Sequence, residues 1–402
     1  ARFVHPPLVV DSLWVDAEEQ VAPPFFVADA IERLGTRDVA LAPTTKLDFI
    51  TGAAPGTINE EHLNFLVRDA SAGGGAAQGG GGGRGAGGAA PAQGGGGRGA
   101  QVFGGDPILV GTIDLHTHQG PDSRARSIDF IDAARYAKLR GMRGLVFKSH
   151  LDHTAAQAYL ARKEVPGLEV FATIDLNWVH GGMNPVAVEH FAQVTMPGMP
   201  PTGKMVMMAS DDTVMQLAAS KATTPPVYVV RNGAVVPEAK AVIGMIKKYD
   251  LSMTTGHNTG AEAILLIKEA IAQGVAPVRT SVTHANISPP GLTVDEMKQV
   301  GALGGFVEFC TQSQRAFTPE AQKALDTRND RIADLIKQVG ADHVIIETDL
   351  GQAGNEYHPD GIAAFVRNMW ARGISQADTD KMTKDNPAKF LGLPLMARPA
   401  SQ

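Results

Sequence analysis

The sequence predicts an α/β chain, a (β/α)8 TIM-type barrel with an N-terminal extension and a glycine-rich linker before it. Three observations carry that prediction. Eight short β-rich runs follow one another after Pro107, helical stretches with one apolar face lie between them, and a low-complexity tract ends where the alternation begins. Strands that alternate with helices form a parallel sheet with crossover connections. Eight such units is the number that closes a barrel. An open, doubly wound sheet is the alternative, and it would bind a ligand at one switch point instead of gathering residues from every strand.

Taken in order, residues 1–72 hold short apolar stretches broken by proline pairs. One helix is expected from Pro24 to Leu34 and a second through INEEHLNFLVRD, where Asn59 would cap it. This arm is too small for its own core and is expected to pack on the barrel. Residues 73–105 are nearly all Gly, Ala, Gln and Arg. Such a tract buries too little to offset its ordering entropy, so it reads as a linker. An arginine-glycine nucleic-acid binder would need more than Arg84 and Arg98 and would carry aromatics.

The barrel takes residues 106–402. Its strands are read in GTIDLHTH (111–118), GLVFKSH (144–150), LEVFATIDL (168–176), KMVMMAS (204–210), LSMTTGH (251–257), TSVTHAN (280–286), GGFVEFC (304–310) and HVIIETDL (343–350). Between them lie SIDFIDAARYAKLRG, TAAQAYLARKEV, PEAKAVIGMIKKYD, GAEAILLIKEAIAQG, TVDEMKQVGALG and DRIADLIKQVG, whose apolar positions recur every three or four residues. Gly141, Gly274, Gly301 and Gly340 are expected just past helix ends, where a left-handed cap favours glycine. Asn232-Gly233 between valine runs (227–238) signals a two-residue hairpin. It falls in a loop after the fourth strand, so it should rise over the mouth of the barrel like a lid.

Composition excludes several partners. The 402 residues are 44% apolar and 19% charged, with a formal net charge of −6. That balance offers no basic patch for nucleic acid, and no apolar run is long enough to span a bilayer. Cys310 is the single cysteine, which rules out an intrachain disulfide and a thiolate metal cluster. A chain that starts at Ala1 fits a protein whose signal peptide has been removed, so export to the periplasm or outside is expected, with the cytoplasm as the alternative. A small-molecule substrate and a homo-oligomer are expected.

Chemistry concentrates at the strand ends. Of twelve histidines, His116, His118, His150, His180, His257 and His284 sit at or just after them, and Asp349 joins them on the eighth. Imidazoles with a carboxylate and no thiolate suit zinc, manganese or iron(II). His116 and His118 are two apart on a strand and so face the same way. A pair of ordinary core histidines is the bland alternative. His257 and His284 end neighbouring strands. A lone buried carboxylate at Asp349 would be costly without a cation; a helix cap is its ordinary alternative. Lys148 closes the second strand, where a buried lysine needs an anion, a displaced pKa or covalent modification. A carboxylated lysine bridging two metals, an ammonium that binds substrate and a structural salt bridge all remain open there.

DLHTH (114–118), LVFKSH, TTGH (254–257), VTHAN (282–286), LTVDEM, FVEFC and ETDLG (347–351) together resemble the amidohydrolase superfamily, in one of its poorly characterised branches. The resemblance runs from about Thr112 to the NPAKFLGL tail. It implies a distorted barrel holding one or two divalent ions, zinc first, on His116, His118, His257, His284 and Asp349. It departs at strand four, where binuclear members take a bridging Lys or Glu and this chain has Ser210-Asp211; Lys148 on strand two is then the candidate bridge. The expected activity is hydrolysis of an amide, cyclic amide, ester or lactone by metal-bound hydroxide, with Asp349 and His284 as the catalytic pair and Asp349 handling the proton. His150, His180 and Glu308 are candidates to support the ligands or contact the substrate, and Arg124, Arg126 and Arg315 to hold a substrate carboxylate. A decarboxylase of the same fold and a non-catalytic secreted barrel for binding or assembly are the alternatives.

Overall fold

The computed structural model describes residues 106–396. The arm at 1–72, its two expected helices and the linker at 73–105 lie outside the described residues. Ten strands are described: β1 (Ile113–His118), β2 (Gly144–Lys148), β3 (Glu169–Asp175), β4 (Gly203–Met207), β5 (Val230–Arg231), β6 (Ala234–Val235), β7 (Ser252–Thr254), β8 (Thr280–Val282), β9 (Phe306–Cys310) and β10 (Val344–Glu347). Eight of them form one sheet in the order β1-β2-β3-β4-β7-β8-β9-β10, every neighbouring pair parallel. Thr117 bridges to Leu350 just past β10, which brings the last strand back to the first. The chain is a (β/α)8 barrel, and the open sheet is set aside.

Helices run between the strands: α1 (Phe130–Leu139), α2 (Ala155–Glu164), α3 (Pro185–Gln193), α4 (Val214–Ser220), α5 (Pro237–Lys248), α6 (Gly260–Ala272), α7 (Val294–Ala302), α8 (Pro319–Val339) and α9 (His358–Ala371). After them come α10 (Gln376–Asp380), a π-turn (Lys381–Asp385) and α11 (Asn386–Leu391). Their starts are chemically marked. Thr259 with Glu262 and Thr293 with Glu296 close full capping boxes on α6 and α7. Three expectations need correction. Gly301 lies inside α7, and Gly304, at φ +86°, takes the left-handed position after it. The helix expected at 330 begins at Pro319, because Thr318 caps it and proline suits the first turn. The sequence patterns also passed over α3, α4 and α9.

Strand alternation sorts the apolar residues into two layers. Leu145, Phe147, Val170, Ile174, Val206, Val307 and Val344 face the helices. Ile113, Leu115, Val146, Phe171, Met205, Phe306 and Ile345 fill the lumen, and Ala388, Phe390 and Leu391 of α11 pack against them as a floor. The NPAKFLGL tail is thus the plug of the barrel. Asn386 fixes it by donating to the carbonyls of Ala341 and Val344 at 2.8 and 2.7 Å.

β1 carries the local feature on which the mouth depends. Its register to β2 slips between Asp114 and Thr117, a β-bulge. Unbroken alternation would put His116 and His118 on the face opposite Ile113 and Leu115. The bulge resets the phase, so Leu115 ends the apolar lumen and the two histidines begin a polar layer on the same side. Asp114 stabilises the bulge: Oδ1 accepts from the backbone N–H of His116 at 3.1 Å and from that of Thr348 at 3.1 Å, and Oδ2 accepts from the Thr348 hydroxyl at 2.6 Å.

The seam between β1 and β10 is short. Backbone bonds cross it from Asp349 N to His116 O at 2.9 Å and from His118 N to Leu350 O at 2.8 Å. Gly351 then turns away at φ +117°, and a Cβ built there would lie 1.7 Å from the carbonyl oxygen of His118. Gly351→Ala is therefore expected to destabilise the fold by at least about 2 kcal/mol, since strain and a backbone clash combine. Gly354→Ala, at φ +91° with open space around it, should cost about 1 kcal/mol from strain alone. Urea denaturation of the two variants checks both; equal losses would contradict the close approach at Gly351.

Candidate metal centre

Five of the six strand-end histidines meet above the lumen. Ring centroids are 5.2 Å apart for His116 and His118, 5.8 Å for His116 and His284, and 4.7 Å for His284 and His257. His150 closes the circle, 5.1 Å from His118 and 6.3 Å from His257. Ligand atoms of His116, His118 and Asp349 all lie within 4.8 Å of one another. His118 Nε2 is 3.0 Å from Asp349 Oδ1, and His116 Nε2 is 3.3 Å from the same oxygen. On the other side, His257 Nε2 and His284 Nε2 approach to 3.0 Å.

Hydrogen bonds beneath the rings fix which nitrogen faces the centre. His116 Nδ1 lies 3.2 Å from Glu347 Oε1; with that oxygen as the acceptor, Nε2 carries the lone pair. That Nε2 is buried and has no hydrogen-bond partner among the described residues. A lone pair 3.3 Å from a carboxylate oxygen is repulsive unless a cation lies between them. His257 Nδ1 lies 3.1 Å from Gln216 Oε1 and donates to it, which likewise turns its Nε2 lone pair inward. Burial holds the imidazoles of His116 and His284 down to about 4, and those of His118, His150 and His257 well below the usual range. Five neutral imidazoles are in the state that binds metal. Burial works against the charge of Asp349, but His116 and His118 hold its carboxyl well below the ordinary range, so it is ionised. The donor set therefore fits a divalent ion on His116, His118 and Asp349, with His257 and His284 beside it.

A second polar cluster flanks the first. Lys148, fully buried, has Nζ 2.9 and 3.0 Å from the two ring nitrogens of His150 and 3.7 Å from Asp175 Oδ2. His150 Nδ1 is 2.8 Å from Ser210 Oγ and 3.3 Å from Asp211 Oδ1. Ser210 donates to Asp175. Lys148 thus faces His150 and Asp175. Beneath the ligands Glu308 and Glu347 are both buried. Ser281 and Thr254 donate to Glu308. Burial, then Glu347, pushes the Glu308 carboxyl well up; burial, then Asp114 and Asp349, does the same to Glu347.

The remaining candidates separate. His180 sits on the turn Trp178–His180, donates Nδ1 to the carbonyl of Asp175 at 2.8 Å and pairs with His153 at 6.3 Å rather than with the five. Arg124 pairs with Asp211, and Arg126 with Asp122 at 2.7 Å. Arg315 has Nε 3.9 Å from Glu356 Oε2, and both its terminal nitrogens lack a hydrogen-bond partner among the described residues. The hairpin forms as expected, Asn232 and Gly233 both at positive φ. With the Trp178 turn it frames an apolar cavity of about 870 Å³ whose lining holds none of the five histidines.

Glu347, Gln216, Asp175 and Asp114 were not singled out from the sequence. Glu347 had a signal: it lies two before Asp349 and shares the lumen side with Ile345. Losing the carboxylate on a ligand's second nitrogen commonly costs about 10- to 100-fold in metal affinity. Glu347→Leu is therefore expected to weaken zinc binding about 10- to 100-fold, whereas Glu347→Gln, which keeps an acceptor for His116, should weaken it less. Competition with a chromophoric chelator measures this, and unchanged affinity in the leucine variant would refute the role.

Residues 111–308 match the model of a family of unknown function, DUF6282. The phosphotriesterase homology protein of Escherichia coli K12 is 26% identical over 142 residues, which is 35% of this chain and 47% of that relative. The chain so matched spans about half the length of its relative. A crystal structure described as the E. coli protein complexed with phosphate in the active site superposes with a TM-score of 0.50 at 15% identity, over 70% of this chain and 99% of that one. The organophosphorus hydrolase of Deinococcus radiodurans gives a TM-score of 0.48 at 14% identity, over 72% of this chain and 96% of its own. The partial sequence likeness, the shared barrel and the histidines with an aspartate at the strand ends agree with the resemblance to the amidohydrolase superfamily.

Proposed function

We propose that the protein is a metal-dependent hydrolase that cleaves an ester or lactone, with amides and cyclic amides as the related class. One observation carries the reading: the buried His116 Nε2, without a hydrogen-bond partner among the described residues, stands 3.3 Å from Asp349 Oδ1. That arrangement is stable around a cation and unstable without one. Zinc is the ion that such imidazole and carboxylate ligands favour.

A divalent ion held there would supply Lewis acidity and lower the pKa of a water molecule towards neutrality. The chain's own residues do the rest. Asp349, ionised at neutral pH, accepts the proton of the attacking water and passes it to the leaving oxygen. Glu347 and Gln216 hold His116 and His257 in the tautomers that face the centre. His150 and Lys148 border the same space, and the ammonium of Lys148, balanced by Asp175, offers positive charge to an oxyanion. The phosphate described in the E. coli relative's active site supports a centre that accepts a tetrahedral oxyanion. Arg315 supports a substrate that also bears an anionic group, because buried terminal guanidinium nitrogens without acceptors are otherwise a cost.

The zinc-loaded chain should hydrolyse simple aryl esters and lactones. Asp349→Asn should lower kcat/KM about a hundred- to ten-thousand-fold, and the double variant His116→Ala, His118→Ala should lose both bound metal and turnover. Full metal content in the double variant would overturn the assignment. Carbon dioxide release from a β-keto acid, without ester or lactone cleavage, would favour a decarboxylase. For a substrate carrying a carboxylate, Arg315→Gln should raise KM several-fold and leave a neutral ester unaffected; equal effects on both would remove Arg315 from recognition.

A further inference from the structure

His358 belongs to none of the groups above, yet it touches both strands of the seam. It opens α9, and its side chain is buried. Nε2 lies 3.0 Å from the carbonyl oxygen of His118 and 3.0 Å from that of Leu350. Both neighbours are acceptors, so Nε2 carries the proton and one N–H is shared between them. The two carbonyls belong to the residue that brings a ligand from β1 and to the residue next to the ligand after β10.

The ligand geometry depends on that contact. His118 Nε2 and Asp349 Oδ1 stand 3.0 Å apart although they come from the first and last strands. Their separation is set by how closely the two strand ends are held. Between those ends the backbone supplies, among the described residues, the two bonds from Asp349 N and His118 N. Leu350 O already receives the N–H of His118 and takes the imidazole as a second donor. The α9 backbone is close enough to the seam to do this because Gly361, one turn later, has no side chain; a Cβ there would meet Leu350 Cδ1 at 2.3 Å.

We propose that His358 is a positioning residue of the metal centre, a clamp that sets the spacing between His118 and Asp349 by tying the carbonyls of His118 and Leu350 with one N–H. The inference rests on the metal-centre reading above, though it holds whatever the substrate is. A loss of the clamp leaves all five imidazoles and Asp349 in place and loosens the distance between two of them. Metal affinity then falls without loss of any ligand.

The test uses the full chain stripped of metal and titrated with zinc alone, then with cobalt(II), whose visible bands report ligand geometry. His358→Phe fills the same space without a donor, and His358→Gln restores an N–H that can reach a carbonyl. Zinc affinity should fall about 10- to 100-fold in the phenylalanine variant and largely recover in the glutamine variant, with altered cobalt bands in the former alone. Phe365→Leu, in the core face of the same helix, should lower the melting temperature and leave zinc affinity unchanged. Should His358→Phe not fold, His358→Asn carries the test, its shorter amide giving a several-fold loss. Wild-type affinity in the variants that remove the donor overturns the inference, as does an equal loss in Phe365→Leu. A wild-type chain that binds no zinc would overturn the metal centre together with the clamp, whereas a zinc-binding chain with no hydrolase activity would leave the clamp standing.

Discussion

The structure depends on how β1 meets β10. Elsewhere in the barrel, neighbouring strands pair through parallel ladders; here one backbone bridge and the carboxylate of Asp114 do that work. The bulge in β1 shortens the stretch available for pairing, and in exchange it turns both histidines into the lumen. Closure of the sheet and assembly of the site are therefore one event. His116 and His118 sit on one side of the seam and Asp349 on the other, so the ion their geometry fits would tie the first strand to the last. Such an ion contributes to folding stability as well as to chemistry, because the unfolded chain offers no preformed site.

Charge explains why the seam takes this form. Asp175, Glu308, Glu347 and Asp349 crowd the upper lumen, Asp114 is buried at the seam beside them, and Lys148 is buried against Asp175. So many buried carboxylates cannot all be ionised without compensation. Protons solve part of the problem: burial raises Asp114 to about 7 and drives Glu308 and Glu347 well up. Asp349 goes the other way and stays ionised. The carboxyls thus divide into protonated ones that build hydrogen bonds below and an ionised one that faces the neutral imidazoles above. That division is what a cation-binding, proton-handling centre requires.

Much of this was legible in the sequence. Eight strand runs, the HTH pair and the hairpin at Asn232-Gly233 all follow from local pattern, and the structure has them. The convergence of His116, His118, His257 and His284 with Asp349 followed from the barrel itself, which gathers strand ends. Pattern failed where a contact is non-local. Nothing in IDLHTH announces a bulge, because Asp114 stabilises it through Thr348, more than two hundred residues away. His180 looked equivalent to His150, but the chain turns after Asp175 and points it at His153. The start of α8 was missed because its first three turns, PEAQKALDTRND, are mostly polar and bury only Leu325 and Asn329, so periodicity shows little.

Backbone strain marks the same boundary between floor and mouth. Ala209, His284, Gln312 and Asp349 adopt positive φ, from 23° to 54°, each just past the end of a barrel strand. A residue with a side chain is expected to lose roughly 1–3 kcal/mol in such a conformation. The lumen floor shows the opposite economy: apolar side chains from six strands close on Phe390 and Leu391. Stability is concentrated where α11 plugs the barrel, and strain is confined to the ends that aim ligands. Two of the four strained residues, His284 and Asp349, carry side chains of the centre. Their backbones are held off their preferred angles by hydrogen bonds and packing around them, which keeps those side chains aimed at the centre. A site built on relaxed strand ends would be more stable and less well defined.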